Sequence, residues 1–261
     1  MIRSIAALAG RDLRRFFRQP SRIVGSAAQP LILWVVLGAG LGGSFRPNVG
    51  TGAGAGVGYL QYFYPGVVVL TLLFTAIFST ISVIEDRHHG FLQAVLAAPV
   101  SRASLVLGKT LGGVAIASVQ AGILLALAPL AGFHASEMNW PLLALAVPLS
   151  ALVFTALGFA MAWWIDSTQG YHAVMSVALI PLWMLSGAMF PPSGDSHWIA
   201  TLMAIDPMTY TVSAIRRGFH GASMPASLVP GHGGAATDLV LIALAARVTL
   251  TAAVALCRRR A

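Results

Sequence analysis

The chain has 261 residues, 57% of them hydrophobic and only 9% charged, with a mean hydropathy of +0.80. A soluble domain carries about 25% charged residues, so a soluble enzyme or a nucleic-acid-binding domain is excluded as the bulk of the chain. Each membrane-crossing helix takes about 20 apolar residues, which leaves room for about six crossings in one membrane domain and none for a nucleotide-hydrolysing domain.

Residues 1–20 predict an interface helix. On a helical wheel Ile2, Ile5, Ala6, Ala9, Leu13, Phe16 and Phe17 gather on one side, Arg3, Arg11, Arg14, Arg15 and Arg18 on the facing side, and Leu8 and Asp12 sit off this division. Such a helix lies in the membrane interface with guanidinium groups on lipid phosphates and aromatics at the acyl boundary. Arg14-Arg15 before Phe16 also imitates a twin-arginine signal, but the apolar run that follows has span length and no convincing small-residue cleavage site.

Apolar runs predict spans at 24–45, 59–84, 110–133, 141–165, 173–190 and 238–257. An even number of crossings puts both termini on one side. Arg3, Arg11, Arg14, Arg15, Arg18, Arg22, Arg87, Arg102, Lys109 and Arg258 to Arg260 fall on that side, and Arg46, Arg216 and Arg217 on the other. Basic residues near span ends are retained in the cytoplasm, so both termini are expected there, in a bacterial-type inner membrane. The +8 net charge therefore reflects topology and not affinity for nucleic acid. The glycine-rich residues 46–58 read as an outer loop. Tyr59, Tyr62, Phe63 and Tyr64 follow as an interfacial belt or as substrate contacts.

Residues 85–109, E-D-R-H-H-G-F-L-Q-A-V-L-A-A-P-V-S-R-A-S-L-V-L-G-K, form the predicted cytoplasmic connection between spans two and three. Phe91, Leu92, Val95 and Leu96 make an apolar stripe too short to span and broken before Pro99. It must cover either this chain's own helix ends or a groove of a partner. Gly108-Lys109-Thr110 imitates a nucleotide-binding loop, but no strand feeds it and Gly108 is its lone glycine, so no phosphate site is expected. His88 and His89 are adjacent and do not share a helix face, so no metal site is expected either.

After span five, L-S-G-A-M-F-P-P at 185–192 and I-D-P-M-T-Y at 205–210 lie in a stretch, 191–237, too long for a tight turn. Backbone at membrane depth must be satisfied inside protein, which two short helices dipping into the outer leaflet and broken at Pro207 would achieve. Arg216 and Arg217 would then lie at outer headgroup level. Arg247 stands inside span six, at a cost of about 3 kcal/mol on insertion scales; it either pairs with a carboxylate, lines a cavity, or snorkels. Cys257 is the lone cysteine, so neither a disulfide nor a zinc site is available.

Read together, Glu85, Asp86, Arg87, Gly90, Pro99, Val100, Ser101, Arg102, Gly108 and Lys109, followed by the blocks at 185–192 and 205–210 and by Arg216, resemble the ABC-2-type permeases, membrane subunits of ABC exporters. The likeness runs over nearly the whole chain; Asp206 stands where the family more often has asparagine. It implies an all-α polytopic fold with six transmembrane helices, an N-terminal interface helix, a coupling helix between spans two and three, and re-entrant helices between spans five and six. It also implies two ATPase subunits and a second permease copy as partners, with ATP and magnesium held by the ATPase and no cofactor by this chain. Glu85, Asp86, Arg87, Gly90, Phe91, Leu92, Val95, Leu96, Pro99 and Arg102 become the expected coupling interface. Met184, Gly187, Phe190, Pro191, Asp206, Tyr210, Arg216 and Arg247 become candidates for the substrate pathway and outer gate.

The implied function is outward movement of an amphipathic, hydrophobic or lipid-linked compound, the loop being more like those of drug and lipid exporters than of polysaccharide exporters. The alternatives are a polysaccharide or glycolipid exporter and, more remotely, an ion-coupled transporter or an intramembrane enzyme. The last two sit poorly with the sequence. Glu85, Asp86, Glu137, Asp166, Asp195, Asp206 and Asp238 cluster at span ends and loops, and no internal repeat is visible.

Overall fold

The computed structural model describes residues 2–41, 58–98, 100–189, 197–221 and 233–259, and among them there is no strand. The helices are α1 (Ile2–Phe17), α2 (Pro20–Leu41), α3 (Tyr59–His88), α4 (Phe91–Ala97), α5 (Arg102–Leu127), α6 (Trp140–Trp164), α7 (Thr168–Trp183), α8 (His197–Ile205), α9 (Pro207–His220) and α10 (Ala235–Arg259). Five stretches are long and apolar enough to cross a membrane: Tyr59–His88, Arg102–Ala131, Trp140–Trp164, Thr168–Ala188 and Ala235–Arg259; within α2 the apolar stretch is the shorter Ala28–Gly40.

α3 is the central post, buried along almost its whole length and packed by α2, α5, α6 and α9. Small residues bring its neighbours close. A Cβ on Gly113 of α5 would stand 2.5 Å from both Ser79 of α3 and Thr155 of α6, and one on Gly158 of α6 would stand 2.8 Å from Thr80. Across that close approach the Tyr171 hydroxyl of α7 meets Thr80 at 2.6 Å and lies within hydrogen-bond distance of the carbonyls of Ile77 and Gly158. Small residues and satisfied polar groups are how helices associate where apolar surface alone gives no driving force.

α1 departs from the sequence expectation. Its buried stripe is Leu8, Asp12 and Phe16, at i, i+4 and i+8, while Ile2 and Phe17 are exposed. The two residues that broke the wheel are thus on the buried side, because α1 packs on protein, the glycine ridge of α5, along with any lipid it meets. A Cβ on Gly108 would lie 2.9 Å from that of Leu8, and one on Gly112 would lie 3.3 Å from the Ala9 backbone.

The connection between α3 and α5 is also shorter than predicted. α3 runs on to His88, and α5 begins at Arg102, where the Ser101 hydroxyl accepts the Ser104 N–H at 3.2 Å as an N-cap. Gly108-Lys109-Thr110 is therefore helix interior, with all three residues buried, and not a turn that could wrap a phosphate.

Candidate functional site

At the lower end of α3 the charged residues converge. Lys109 Nζ of α5 lies 2.5 Å from an Asp86 carboxylate oxygen, 3.0 Å from Asp12 of α1 and 3.3 Å from the Ser82 hydroxyl. Arg11 of α1 reaches the same Asp86 oxygen and pairs with Asp12 at 3.2 Å. Arg15, one turn on, holds Glu85 at 2.7 Å. Three cations and three carboxylates balance, and they join α1, α3 and α5. The centre of the network, Lys109 with Asp86 and Asp12, is desolvated, the Lys109 side chain being only 2% exposed, while Arg11 and Arg15 reach in from the partly exposed rim. Neither the lipid-phosphate role predicted for Arg11 and Arg15 nor a membrane-edge position for Lys109 describes them.

α4 hangs directly below this network. Gly90 makes the turn into it at φ +73°, a left-handed conformation that favours glycine. The Arg11 guanidinium stacks 3.8 Å from the centre of the Phe91 ring. Leu92 is buried in the core and Phe91 and Val95 pack partly against it, so the stripe is covered, at these positions, by the chain's own helix ends. The side of α4 turned to solvent is Gln93, Ala94 and Ala97, continued by Ala98. The Leu96 side chain and Pro99 lie outside the described residues. Arg87 is pulled aside, 2.5 Å from Asp166 and donating to the Trp163 carbonyl, and Arg102 donates to the carbonyls of Cys257 and Arg258 at the end of α10. Asp86, Leu92, Arg87 and Arg102 therefore act first as positioning groups for this corner. Between α1 and α4 a groove of about 350 Å³ remains, lined by Ser4, Ala7, Leu8, Ala94, Val95, Ala98 and Val100.

Just above the network, α1, α2, α3, α5 and α7 enclose a half-open cavity of about 320 Å³. Phe16, Phe74, Phe78, Ile81 and Ile116 supply its apolar wall, and Gln29, Thr75, Ser79, Ser82 and His172, with Asp12 and Arg15 of the network, its polar groups. Apart from Phe16, placed on the apolar side of the N-terminal helix, and Asp12 and Arg15 of the same helix, none of these residues stood out in the sequence; the one available signal was the run of Ser and Thr along an otherwise apolar span.

The opposite end of the bundle is organised around a break. α7 gives way at Met184–Ala188 to one π-helical turn in which Gly187 has φ +77°. Arg216 of α9, with no exposed surface, donates to the carbonyls of Gly187 and Ala188 at 3.1 and 3.4 Å and stacks 4.1 Å from the Tyr62 ring centre. The Tyr62 hydroxyl donates to the Gly187 carbonyl at 3.0 Å, and Trp183 Nε1 to that of Gly66. Arg216 is thus a buried clamp and not a headgroup contact, and Arg217 pairs with Asp238 at 3.1 Å. Tyr62 and Tyr64 are buried rather than belted around the surface.

Asp206 caps α9, accepting the Met208 N–H at 2.9 Å, and its other oxygen has no hydrogen-bond partner among the described residues. Burial pushes its carboxyl up to about 7. Tyr210 closes the α8–α9 turn on the Ala204 carbonyl at 2.6 Å, and Met184 is exposed. Phe190 and Pro191 lie outside the described residues. Arg247 is not part of this assembly: it is exposed near the middle of α10 and pairs with no carboxylate among the described residues, so of the three alternatives pairing is not the one found there.

The ABC-2 type transporter family model matches residues 3–220. The chain belongs to this family. Among its relatives are a ycf38 protein of Porphyra purpurea that carries the name of a transport permease, 26% identical over 83% of this chain and 74% of its own length. The daunorubicin resistance ABC transporter permease protein DrrB1 of Streptomyces coeruleorubidus is 24% identical over 82% of this chain and 74% of its own. Nodulation protein J of Neorhizobium galegae is 27% identical over 79% and 77%. The matched region contains the buried network, the cavity wall and the Arg216 clamp, so this ABC-2 chain is a membrane transport subunit, of a family whose members work with ABC ATPases.

Proposed function

We propose that this ABC-2 permease is the membrane half of an ATP-driven exporter that moves an amphipathic, hydrophobic or lipid-linked compound outward across a cytoplasmic membrane. α2 is the sixth crossing, both termini face the cytoplasm, and α8 and α9 form the re-entrant outer segment. Two copies work with two ATPase subunits, which hold ATP and magnesium; this chain contributes no cofactor site. The solvent-facing sides of α2 and α7, with Ile32, Val35, Val36, Val174 and Val177 exposed, are the surfaces on which a second copy would sit.

The observation that carries the reading is the cytoplasmic corner. A short helix is mounted on a charge-balanced buried network that ties it to α1, α3 and α5, so a push on α4 is passed to three helices together. The exposed alanines and the groove beside Ala7 and Val95 supply the docking face for the ATPase, in place of the buried Leu92. The mixed lining of the 320 Å³ cavity supports an amphipathic substrate: aromatic rings for its apolar body, hydroxyls and an imidazole for a polar group. The drug-resistance name of the DrrB1 relative points the same way.

The test is reconstitution of the permease with its ATPase in liposomes. Amphipathic cations and lipid-linked compounds should raise ATP hydrolysis, and Phe78→Ala should weaken that stimulation while basal hydrolysis persists. Stimulation that ignores Phe78 and His172 variants would remove the cavity from the pathway.

A further inference from the structure

We propose that the trough between the lower halves of α5 and α10 is a retained binding site for one anionic phospholipid of the cytoplasmic leaflet. The trough, about 520 Å³, is lined by Leu107 of α5 and by Leu250, Thr251, Val254, Ala255, Arg258 and Arg259 of α10. Its walls are apolar in practice, because the one hydroxyl present, on Thr251, is spent on the Val248 carbonyl at 2.9 Å.

Length fits one leaflet. From Leu250 to Arg259 an α-helix rises about 14 Å, close to half of a hydrocarbon core about 30 Å thick. The trough thus begins at headgroup level and ends near the bilayer middle, the extent of a single acyl chain.

Charge selects the headgroup. Arg258 and Arg259 are exposed at the mouth, and no carboxylate among the described residues pairs with either. Nor are they occupied in capping their own helix: Arg102 reaches across from α5 and takes the Cys257 and Arg258 carbonyls at 3.1 and 3.3 Å. That contact ties the two helices together beside the trough and adds further positive charge next to the Arg258 and Arg259 guanidinium groups. A phosphodiester held at the mouth meets cations with their hydrogen-bonding capacity intact, and its chain lies where lipid already is. The site is on the outer face of α10, away from the cavity bounded by α2, α3 and α7, so it holds a structural or regulatory lipid rather than cargo.

Native mass spectrometry of the full chain released from detergent, supplied with phosphatidylglycerol or phosphatidylcholine of identical chains, tests the assignment. One phosphatidylglycerol per chain should survive at activation energies that strip phosphatidylcholine. Arg258→Gln/Arg259→Gln should weaken retention by about fivefold per arginine removed, the factor expected for a basic residue at an anionic surface. Arg3→Gln/Arg14→Gln removes equal charge from exposed positions of α1 and should change nothing. Ala255→Trp, at an exposed position, fills the trough with both arginines intact and should also abolish retention. Equal retention of the two lipids, equal loss in the α1 variant, or full retention in Ala255→Trp would each overturn the proposal.

Discussion

Replacing Lys109 by methionine removes one charge from the middle of the network and keeps the volume. Asp86 and Asp12 then face each other with Arg11 as their remaining partner; their side chains are 7% and 10% exposed, and that of Arg11 33%. Removing one member of a buried pair costs about 3–5 kcal/mol, because the other charge is left desolvated. Arg11 stays in contact with both acids, so the lower end, about 3 kcal/mol, applies. At about 2–4 °C per kcal/mol for a chain of this size, the melting temperature of the purified permease should fall by about 6–12 °C. The companion variant Asp86→Asn/Lys109→Met removes one charge of each sign and leaves Arg11 with Asp12 and Arg15 with Glu85, and should recover most of the loss, since a buried pair replaced together is often neutral. An unchanged melting temperature in Lys109→Met, or a double variant worse than the single one, would refute the buried network as described.

Asp206 predicts a pH effect. Its folded carboxyl is raised to about 7 against an unfolded value of about 3.9, so the folded state holds the proton more tightly. Stability from this group is present below about pH 4 and is lost as pH rises towards 7. Asp206→Asn should therefore stabilise the permease at pH 8, by up to about 4 kcal/mol, and much less at pH 5; melting curves at the two pH values that move in parallel would contradict it. Arg247, exposed at mid-helix, should be replaceable by leucine with better insertion, by about 3 kcal/mol on insertion scales, and unchanged export in vesicles; loss of export would place it in the pathway after all. Gly112→Leu should prise α1 from α5, because even a Cβ there meets the Ala9 backbone at 3.3 Å; spin labels on the two helices should separate, and an unmoved distance distribution would show that the ridge is not the contact.

The parts legible in the sequence were those with local causes. The apolar runs from residue 59 onward fall on helices long and apolar enough to cross a membrane, and Gly90 turns the chain into α4 at φ +73°. What sequence periodicity hid was long-range. Asp12 and Lys109 are 97 residues apart, so nothing local says that the acid breaking the α1 wheel is the partner of the lysine in Gly-Lys-Thr. The start of α5 was misplaced because Arg102 and Lys109 depress a hydropathy window, although one caps carbonyls and the other is paired and buried. The stripe of α4 was read correctly as apolar, but periodicity cannot say which body covers it. The clamp was invisible for the same reason: Arg216 looked like a headgroup arginine until Gly187, Ala188 and Tyr62 were seen around it.

Cross-linking from a single cysteine tests the central claim, that the α1–α4 corner is the surface engaged by the ATPase. In a Cys257→Ser background, a cysteine at Gln93, on the exposed side of α4, should capture the ATPase subunit, and one at Trp140, exposed at the start of α6 at the far end of the bundle, should not. Capture from position 140 with none from position 93 would invert the topology and contradict the account.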